Sequence, residues 1–130
     1  MKHIRGSRQS LLITAISVIF FFTLPAISLW AAVPNAPSGL TATALSSTQI
    51  KLTWTDNSSD ETYFYIERKI GATGTYSQIG YVAANITTYT NTGLTQNTDY
   101  YYRVRTYNAS GYSVYSNEAS ATTQTLNAPT

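Results

Sequence analysis

The stretch Leu94–Asn108, LTQNTDYYYRVRTYN, restricts the possible folds more than any other part of the chain. Its second half alternates with a period of two, which is the pattern of a β-strand. One face carries Tyr100, Tyr102, Val104 and Thr106, and the other carries Tyr101, Arg103, Arg105 and Tyr107. Burying two unpaired arginines would cost too much free energy, so the first face is predicted to lie in the core. A shift of one residue would bury both guanidinium groups, which determines the register.

The composition is typical of an ordered domain. The chain has 130 residues, enough for one domain and a targeting segment. Aromatic residues make up 13% of it and charged residues 11%, which is not the composition of a disordered chain. Beyond residue 32 there are five basic and six acidic side chains, so this part has a net charge of −1. We therefore expect no nucleic-acid partner.

Residues 1–32 have the layout of a secretory signal peptide. Basic and polar Met1–Ser10 precedes apolar Leu11–Leu29, which is predicted to be helical, and small residues follow. Cleavage is predicted after Ala31, with Ser28 as the alternative. Because the apolar run is close to the length of a membrane span, an uncleaved anchor is the rival interpretation. Export would place the domain outside the cell or in the cell envelope, with membrane contact only if the segment is uncleaved.

The rest of the chain alternates short β-type runs with turn residues, and no helical period follows residue 32. The predicted strands are Leu40–Ala44, Ile50–Thr55, Tyr63–Lys69, Tyr76–Val82, Thr87–Asn91, the strand that ends at Asn108, and Val114–Thr123. The fourth strand is expected to use Ile79 as its inward anchor, and the fifth to place Tyr89 inward. Seven short strands at this spacing predict an antiparallel β-sandwich.

A series of sequence features occurs in a fixed order between about Pro34 and Thr123: Pro37, Leu40, Trp54, Phe64–Arg68, Tyr89–Leu94, Thr98, Tyr100, Tyr102–Arg105, Asn108, Gly111 and Ser116. In this order and spacing they resemble a fibronectin type III domain. The short sequences FYIER and TGL are similar to those of bacterial extracellular members of the family. The resemblance implies a seven-stranded immunoglobulin-like sandwich of ~100 residues. The expected domain limits are 33–124, with a linker-like tail at 125–130.

The resemblance also implies a tyrosine corner, in which the buried Tyr100 hydroxyl bonds a backbone group near Leu94. Gln96 and Asn97 stand where the family often has Pro-Gly, and Asn tolerates the left-handed conformation that such a turn needs. The predicted core and tyrosine corner consist of Trp54, Phe64, Ile66, Leu94, Tyr100, Tyr102 and Val104.

The end of the chain repeats its lead-in: Asn127–Thr130, NAPT, echoes Asn35–Ser38, NAPS. The offset is one domain length, so the tail is expected to be the lead-in to a second copy. A frayed proline-containing tail is the alternative.

The acidic residues, the cysteine count and the position of the single histidine bear on catalysis and metal binding. The chain has no cysteine, and its only histidine is His3 in the targeting segment, which removes the usual nucleophile–base pairs and zinc ligands. Asp56, Asp60 and Glu61 could offer oxygen atoms to calcium, but they lack the graded ligand series of an EF-hand loop. They are predicted to make turn hydrogen bonds instead. We expect no metal, no cofactor and no enzymatic activity.

Surplus tyrosines and arginines form the candidate binding surface: Tyr63, Tyr65, Tyr101, Arg103, Arg105 and Tyr112. Exposed aromatic side chains can stack on sugar rings or anchor a protein interface, whereas the alternative is cross-strand stabilisation with Glu67 pairing an arginine. Tyr107, Tyr112 and Tyr115 are expected to cluster around one turn.

The predicted function is a secreted, non-enzymatic spacer or protein-interaction unit with a protein or polysaccharide partner at the cell surface. The alternatives are a carbohydrate-binding accessory module that uses Tyr63, Tyr65 and Tyr101 as its platform, and a membrane-anchored surface or envelope protein.

Overall fold

The computed structural model describes residues 17–22 and 31–127. Residues 38–122 form an all-β sandwich of two antiparallel sheets, as the sequence predicts, and the described residues contain no helix. The strands are β1 (Ser38–Ala44), β2 (Ile50–Thr55), β3 (Tyr63–Ile70), β4 (Ser77–Ala83), β5 (Thr88–Asn91), β6 (Asp99–Asn108), β7 (Gly111–Tyr112) and β8 (Ala119–Thr122). The predicted count of seven is therefore wrong by one.

The predicted helical targeting segment lies mostly outside the described residues, as do residues 128–130 of the tail. Of the segment, residues 17–22, 31 and 32 are described, and they have no regular secondary structure. Within the described ranges no helical stretch reaches the length and hydropathy that crossing a bilayer requires.

The two sheets differ in size, and β6 lies at the centre of the larger one. The smaller sheet has the order β1-β2-β5. The larger has the order β4-β3-β6-β7, with β8 also paired to β6. The stretch that most restricts the possible folds is thus β6, which pairs with three other strands, β3, β7 and β8.

Of the predicted last strand, Val114–Thr123, only Ala119–Thr122 forms a strand, β8, and the additional strand β7 lies before it at Gly111–Tyr112. The hydroxyl oxygens of Ser113 and Ser116 accept hydrogen bonds from the backbone N–H groups of Thr106 and Val104, each at 3.0 Å. Serine side chains here satisfy β6 donors that a regular strand would pair with its own carbonyl groups. These serine hydrogen bonds replace ladder hydrogen bonds, which explains why residues 113–118 do not form a strand.

A β-bulge in β4 changes which of its side chains face the core. Ile66 lies opposite Gly80 and Glu67 lies opposite Gln78, so Ile79 has no partner on β3. Such an extra residue interrupts the alternation of the strand. As expected, Ile79 packs against the core, but the bulge also leaves Tyr81 opposite Tyr65 and facing outward.

The core lies between the sheets and is built from the inward positions of four strands, β1, β2, β3 and β6, and the turn before β6. Its buried hydrophobic members are Leu40, Ile50, Leu52, Trp54, Phe64, Ile66, Leu94, Tyr100, Tyr102 and Val104. All seven core and corner residues named from the sequence are in this set. The Trp54 and Phe64 rings meet across the sandwich with centroids 5.5 Å apart. Full burial of a large apolar side chain contributes ~1.5–3 kcal/mol.

The corner before β6 is held by a tyrosine hydroxyl. Tyr100 is buried, and its hydroxyl oxygen accepts a hydrogen bond from the Thr95 N–H at 3.0 Å. That N–H lies one residue beyond Leu94. Asn97 adopts a φ of 49°, the left-handed conformation that the sequence predicts for this turn.

Two asparagines tie the sheets together. Buried Asn91 at the end of β5 accepts hydrogen bonds from the Tyr102 hydroxyl at 3.0 Å and the Arg68 guanidinium at 3.1 Å, both on the larger sheet. The Asn117 side-chain amide bonds both the N–H and the carbonyl of Leu40, each at 2.9 Å. These bonds satisfy polar groups where the two sheets meet.

Candidate binding surface

The outer face of the larger sheet collects the aromatic and charged side chains that the core excludes. Antiparallel pairing of β3 with β6 places Tyr63 opposite Tyr107, Tyr65 opposite Arg105, Glu67 opposite Arg103, and Lys69 opposite Tyr101. Directly opposite side chains on one face are in contact range. The face separates into two regions.

The first region is a ladder in which rings and cations alternate. We call it the cation–aromatic ladder, and its members in order are Tyr101, Lys69, Tyr76, Arg103, Tyr115 and Arg105. The distance from cation to ring centroid ranges from 3.7 Å for Arg103 over Tyr115 to 5.1 Å for Lys69 over Tyr101. Each contact contributes ~0.5–1 kcal/mol at a partly exposed site.

Glu67 anchors the middle of the ladder. It faces outward but is only 7% exposed, because rings and guanidinium groups cover it. One carboxylate oxygen accepts a hydrogen bond from Arg103 Nε at 2.7 Å, and the other accepts one from the Tyr115 hydroxyl at 2.7 Å. The Arg105 guanidinium lies 3.6 Å from the second oxygen. Burial, and then the hydrogen bond to Glu67, raises the pKa of Tyr115.

Glu118 closes the end of the ladder near β8. Its carboxylate accepts a hydrogen bond from the Tyr76 hydroxyl and lies 3.0 Å from the Lys69 ammonium. These two contacts, the tyrosine hydrogen bond first, lower the pKa of Glu118. Burial, and then the bond to Glu118, raises the pKa of Tyr76. The ladder hydroxyls of Tyr76 and Tyr115 are therefore both engaged by carboxylates.

The second region, which we call the open tyrosine cluster, consists of Tyr63, Tyr65, Tyr81, Tyr107 and Tyr112. Tyr65 is at its centre. The Tyr65 ring centroid lies 6.2 Å from that of Tyr63, 5.8 Å from Tyr81, 5.7 Å from Tyr107 and 5.4 Å from Tyr112. Burial among these rings raises the pKa of the Tyr65 phenol, and the neighbouring phenols add to the effect.

The hydroxyl groups of the open tyrosine cluster have no partner among the described residues, in contrast to the ladder hydroxyls of Tyr76 and Tyr115. Tyr81 is 60% exposed and Tyr112 is 42% exposed. No carboxylate lies among the five rings. The cluster thus offers ring faces and free hydroxyl groups to an external molecule.

The six residues of the predicted binding surface are divided between the two regions. Tyr63, Tyr65 and Tyr112 belong to the open tyrosine cluster, whereas Tyr101, Arg103 and Arg105 belong to the cation–aromatic ladder. Tyr101 lies four residues along β6 from Arg105, the partner of Tyr65, which is ~13 Å of strand. The hypothesised platform of Tyr63, Tyr65 and Tyr101 is therefore not one continuous surface.

The expected group of Tyr107, Tyr112 and Tyr115 is also divided. The Tyr107 and Tyr112 centroids are 4.8 Å apart, but the Arg105 guanidinium lies between Tyr112 and Tyr115.

Tyr76 and Tyr81 are two tyrosines of this face that the sequence does not place there. A strict period of two counted from inward Ile79 places Tyr81 inward as well, and only the bulge reverses that assignment. Tyr76 is predicted to begin the fourth strand, but it lies just before β4, which begins at Ser77. The tyrosines of the fourth predicted strand could have been noted as candidates for the face, but the sequence alone does not indicate the direction of the Tyr81 side chain.

The acidic loop makes hydrogen bonds within itself and to the turn between β4 and β5. Asp56 accepts one from the Ser58 N–H at 3.0 Å, and Glu61 accepts one from the Asn85 N–H at 3.1 Å. The second Glu61 oxygen is buried without a hydrogen-bond partner among the described residues. Burial raises the pKa of Asp56, and the nearby Glu61 carboxyl also raises it. Residues 17–22 and 31–127 contain no group of three or more potential metal-ligating side chains.

Comparison with known proteins determines the family. The sequence profile of the fibronectin type III domain matches residues 35–122. The chain belongs to the fibronectin type III family. It is 36% identical over 78 residues to exoglucanase B of Cellulomonas fimi, a match that covers 60% of this chain and 7% of that protein.

Solved fibronectin type III structures have the same fold. An Fn3-like protein from Clostridium thermocellum has a TM-score of 0.60 and 28% identity, covering 75% of this chain and all of that one. A β-1,2-glucanase from Parabacteroides distasonis has a TM-score of 0.63 and 27% identity, covering 75% of this chain and 14% of that one. The chain therefore spans a small part of either glucan-related protein.

Proposed function

We propose that this fibronectin type III chain is a non-enzymatic module of an exported protein, of the bacterial extracellular type, that acts as a spacer or protein-interaction unit. The observation that carries the proposal is the open tyrosine cluster, in which Tyr81 and Tyr112 are exposed, the other three rings are half-buried, and the hydroxyl groups have no partner among the described residues. Exposed aromatic patches of this kind mark interaction surfaces.

The test compares the wild-type chain with a Tyr65→Ser/Tyr81→Ser double variant for retention on envelope material from the producing organism. Retention that the double variant loses supports an interaction unit. Equal retention of both proteins overturns the role of the open tyrosine cluster, and retention of neither leaves the spacer role. Circular dichroism of both proteins controls for folding.

Residues 1–32 are proposed to direct export as a signal peptide. Mass spectrometry of the exported protein should give an N-terminus at Ala32, or at Leu29 for the alternative site. A protein that keeps residues 11–29 and sediments with membranes would instead be an anchored surface or envelope protein.

The second candidate function is a carbohydrate-binding accessory module. The similarity of this chain to small parts of an exoglucanase and of a β-1,2-glucanase supports this candidate. So does the chemistry of the open tyrosine cluster, since tyrosine rings can stack on sugar rings while their hydroxyl groups bond to sugar hydroxyls. Affinity electrophoresis in gels that contain polysaccharides is the direct test.

A further inference from the structure

The open tyrosine cluster differs from the rest of its sheet face in charge as well as in hydrogen bonding. None of its five members is an acid or a base of the Asp, Glu, Lys or Arg type. The nearest such group identified in contact with it is Arg105, which lies 3.9 Å over the Tyr112 ring and 3.6 Å from Glu67. The cationic group at the border is thus already balanced by a carboxylate.

This combination narrows the class of ligand. A purely apolar partner would cover five hydroxyl groups without giving them hydrogen bonds, which is unfavourable. A strongly charged partner would find no unbalanced opposite charge within the cluster. An uncharged, polyhydroxylated ligand meets both conditions, since its C–H faces pack on the rings and its hydroxyl groups bond to the phenols.

The ring geometry narrows the form of that ligand. Neighbouring rings of the open tyrosine cluster are tilted by 40° to 86° relative to one another. A flat crystalline polysaccharide surface requires coplanar rings, whereas a single chain can turn from one unit to the next. Tyr81, Tyr65 and Tyr112 form a row across the strands, with successive centroids 5.8 Å and 5.4 Å apart.

The position of the row is also preorganised. Tyr65 is held by four neighbouring rings, and Tyr112 is held by Tyr107 and by the Arg105 guanidinium. Side chains that are already ordered lose little conformational entropy when a ligand binds. We infer that the open tyrosine cluster binds a single, soluble, uncharged glycan chain laid across β4, β3 and the β6–β7 hairpin. This inference rests on the carbohydrate-binding candidate proposed above.

The experiment uses the folded chain in native gels that contain a neutral soluble glycan: mixed-linkage β-glucan, β-1,2-glucan, xylan or galactomannan. Parallel arms use polygalacturonate as an anionic glycan, microcrystalline cellulose in a pull-down, and a polyproline peptide in a fluorescence titration. We expect retardation by at least one neutral soluble glycan. Tyr81→Ser should weaken that binding about tenfold, and Tyr81→Phe should weaken it less because the ring is retained.

Val114→Ser is the matched control, since Val114 is 78% exposed and lies outside the open tyrosine cluster. This variant should bind as the wild type does. Binding only to cellulose or polygalacturonate overturns the inference, and so does glycan binding that Tyr81→Ser leaves unchanged. Binding only to polyproline overturns it while leaving the interaction-unit proposal in place. No binding in any arm overturns the glycan inference and favours the spacer role.

Discussion

The cation–aromatic ladder and the open tyrosine cluster share one sheet face and much of their residue chemistry, yet they have different capacities for binding. In the ladder, the carboxylates of Glu67 and Glu118 accept hydrogen bonds from tyrosine hydroxyls and balance the cations. In the cluster, no carboxylate is present and the hydroxyl groups have no partner among the described residues. An acceptor within reach makes a surface tyrosine structural, and the lack of one leaves it available.

The difference follows from one alternating strand. The outward positions of β3 are Tyr63 and Tyr65 at one end and Glu67 and Lys69 at the other. Tyr63 lies opposite Tyr107 on β6 and Tyr65 lies opposite Tyr81 on β4. Glu67 and Lys69 lie opposite Arg103 and Tyr101 on β6. Half of the predicted binding surface therefore stabilises the sheet, as the cross-strand alternative describes, while the other half stays open.

The largest expected effect comes from Glu67→Gln, which removes the charge at the centre of the ladder. Arg103, Arg105 and the Tyr115 hydroxyl would then share one neutral acceptor. We expect the free energy of unfolding to fall by about 2–3 kcal/mol, less than for a fully buried ion pair because the arginines keep some solvent contact. Urea denaturation measures the change.

Glu118→Gln is the matched control for that experiment. The Glu118 side chain is 47% exposed, so its ion pair with Lys69 is screened by water. Its removal should change the free energy of unfolding by less than ~1 kcal/mol. Equal losses in the two variants would show that the ladder is not organised around Glu67.

Tyr100→Phe tests a tyrosine whose hydroxyl is engaged in the core rather than on the face. The Thr95 N–H would lose its acceptor while the ring stays packed. We expect a loss of ~1–3 kcal/mol in the free energy of unfolding, because a partly buried donor would be left unsatisfied. An unchanged thermal melting curve would contradict the tyrosine corner.

Local alternation was enough to predict most of the sandwich, but not its irregular parts. The two-faced pattern of β6 correctly places Tyr102 and Val104 inside, and β2 has the predicted limits. The bulge at Ile79 depends on pairing with β3, and Tyr81 cannot be oriented without it. The division of the face likewise depends on which long side chains meet Glu67 in three dimensions.

The same contrast between an engaged and an unengaged oxygen occurs in the acidic loop. One Glu61 oxygen accepts the Asn85 N–H, and the other is buried without a partner. The pKa of nearby Asp56 is raised in the folded state, so the protonated Asp56 carboxyl stabilises the fold. That stabilisation is fully present below the ordinary aspartate pKa and is lost as pH rises through the raised value. Asp56→Asn avoids that loss.

We expect Asp56→Asn to raise the free energy of unfolding at neutral pH by ~0.5–1.5 kcal/mol, since an amide can donate to Glu61 while still accepting from Ser58. The difference in the free energy of unfolding between the variant and the wild type should shrink as pH falls below the range of carboxylate ionisation, because the wild-type Asp56 is then protonated. Urea denaturation at a series of pH values measures it. A gain that is independent of pH would contradict a role for the ionised Asp56 carboxylate.

The smallest expected effect is that of Tyr81→Phe, and it is the sharpest test of the comparison. The Tyr81 hydroxyl has no partner to lose, so the free energy of unfolding should stay within ~0.5 kcal/mol of the wild type. Tyr115→Phe is its matched control, because it removes a hydrogen bond to Glu67 and should cost ~1 kcal/mol. Equal losses would mean that the open tyrosine cluster is bonded within the fold, and its claim to be a binding surface would then fail.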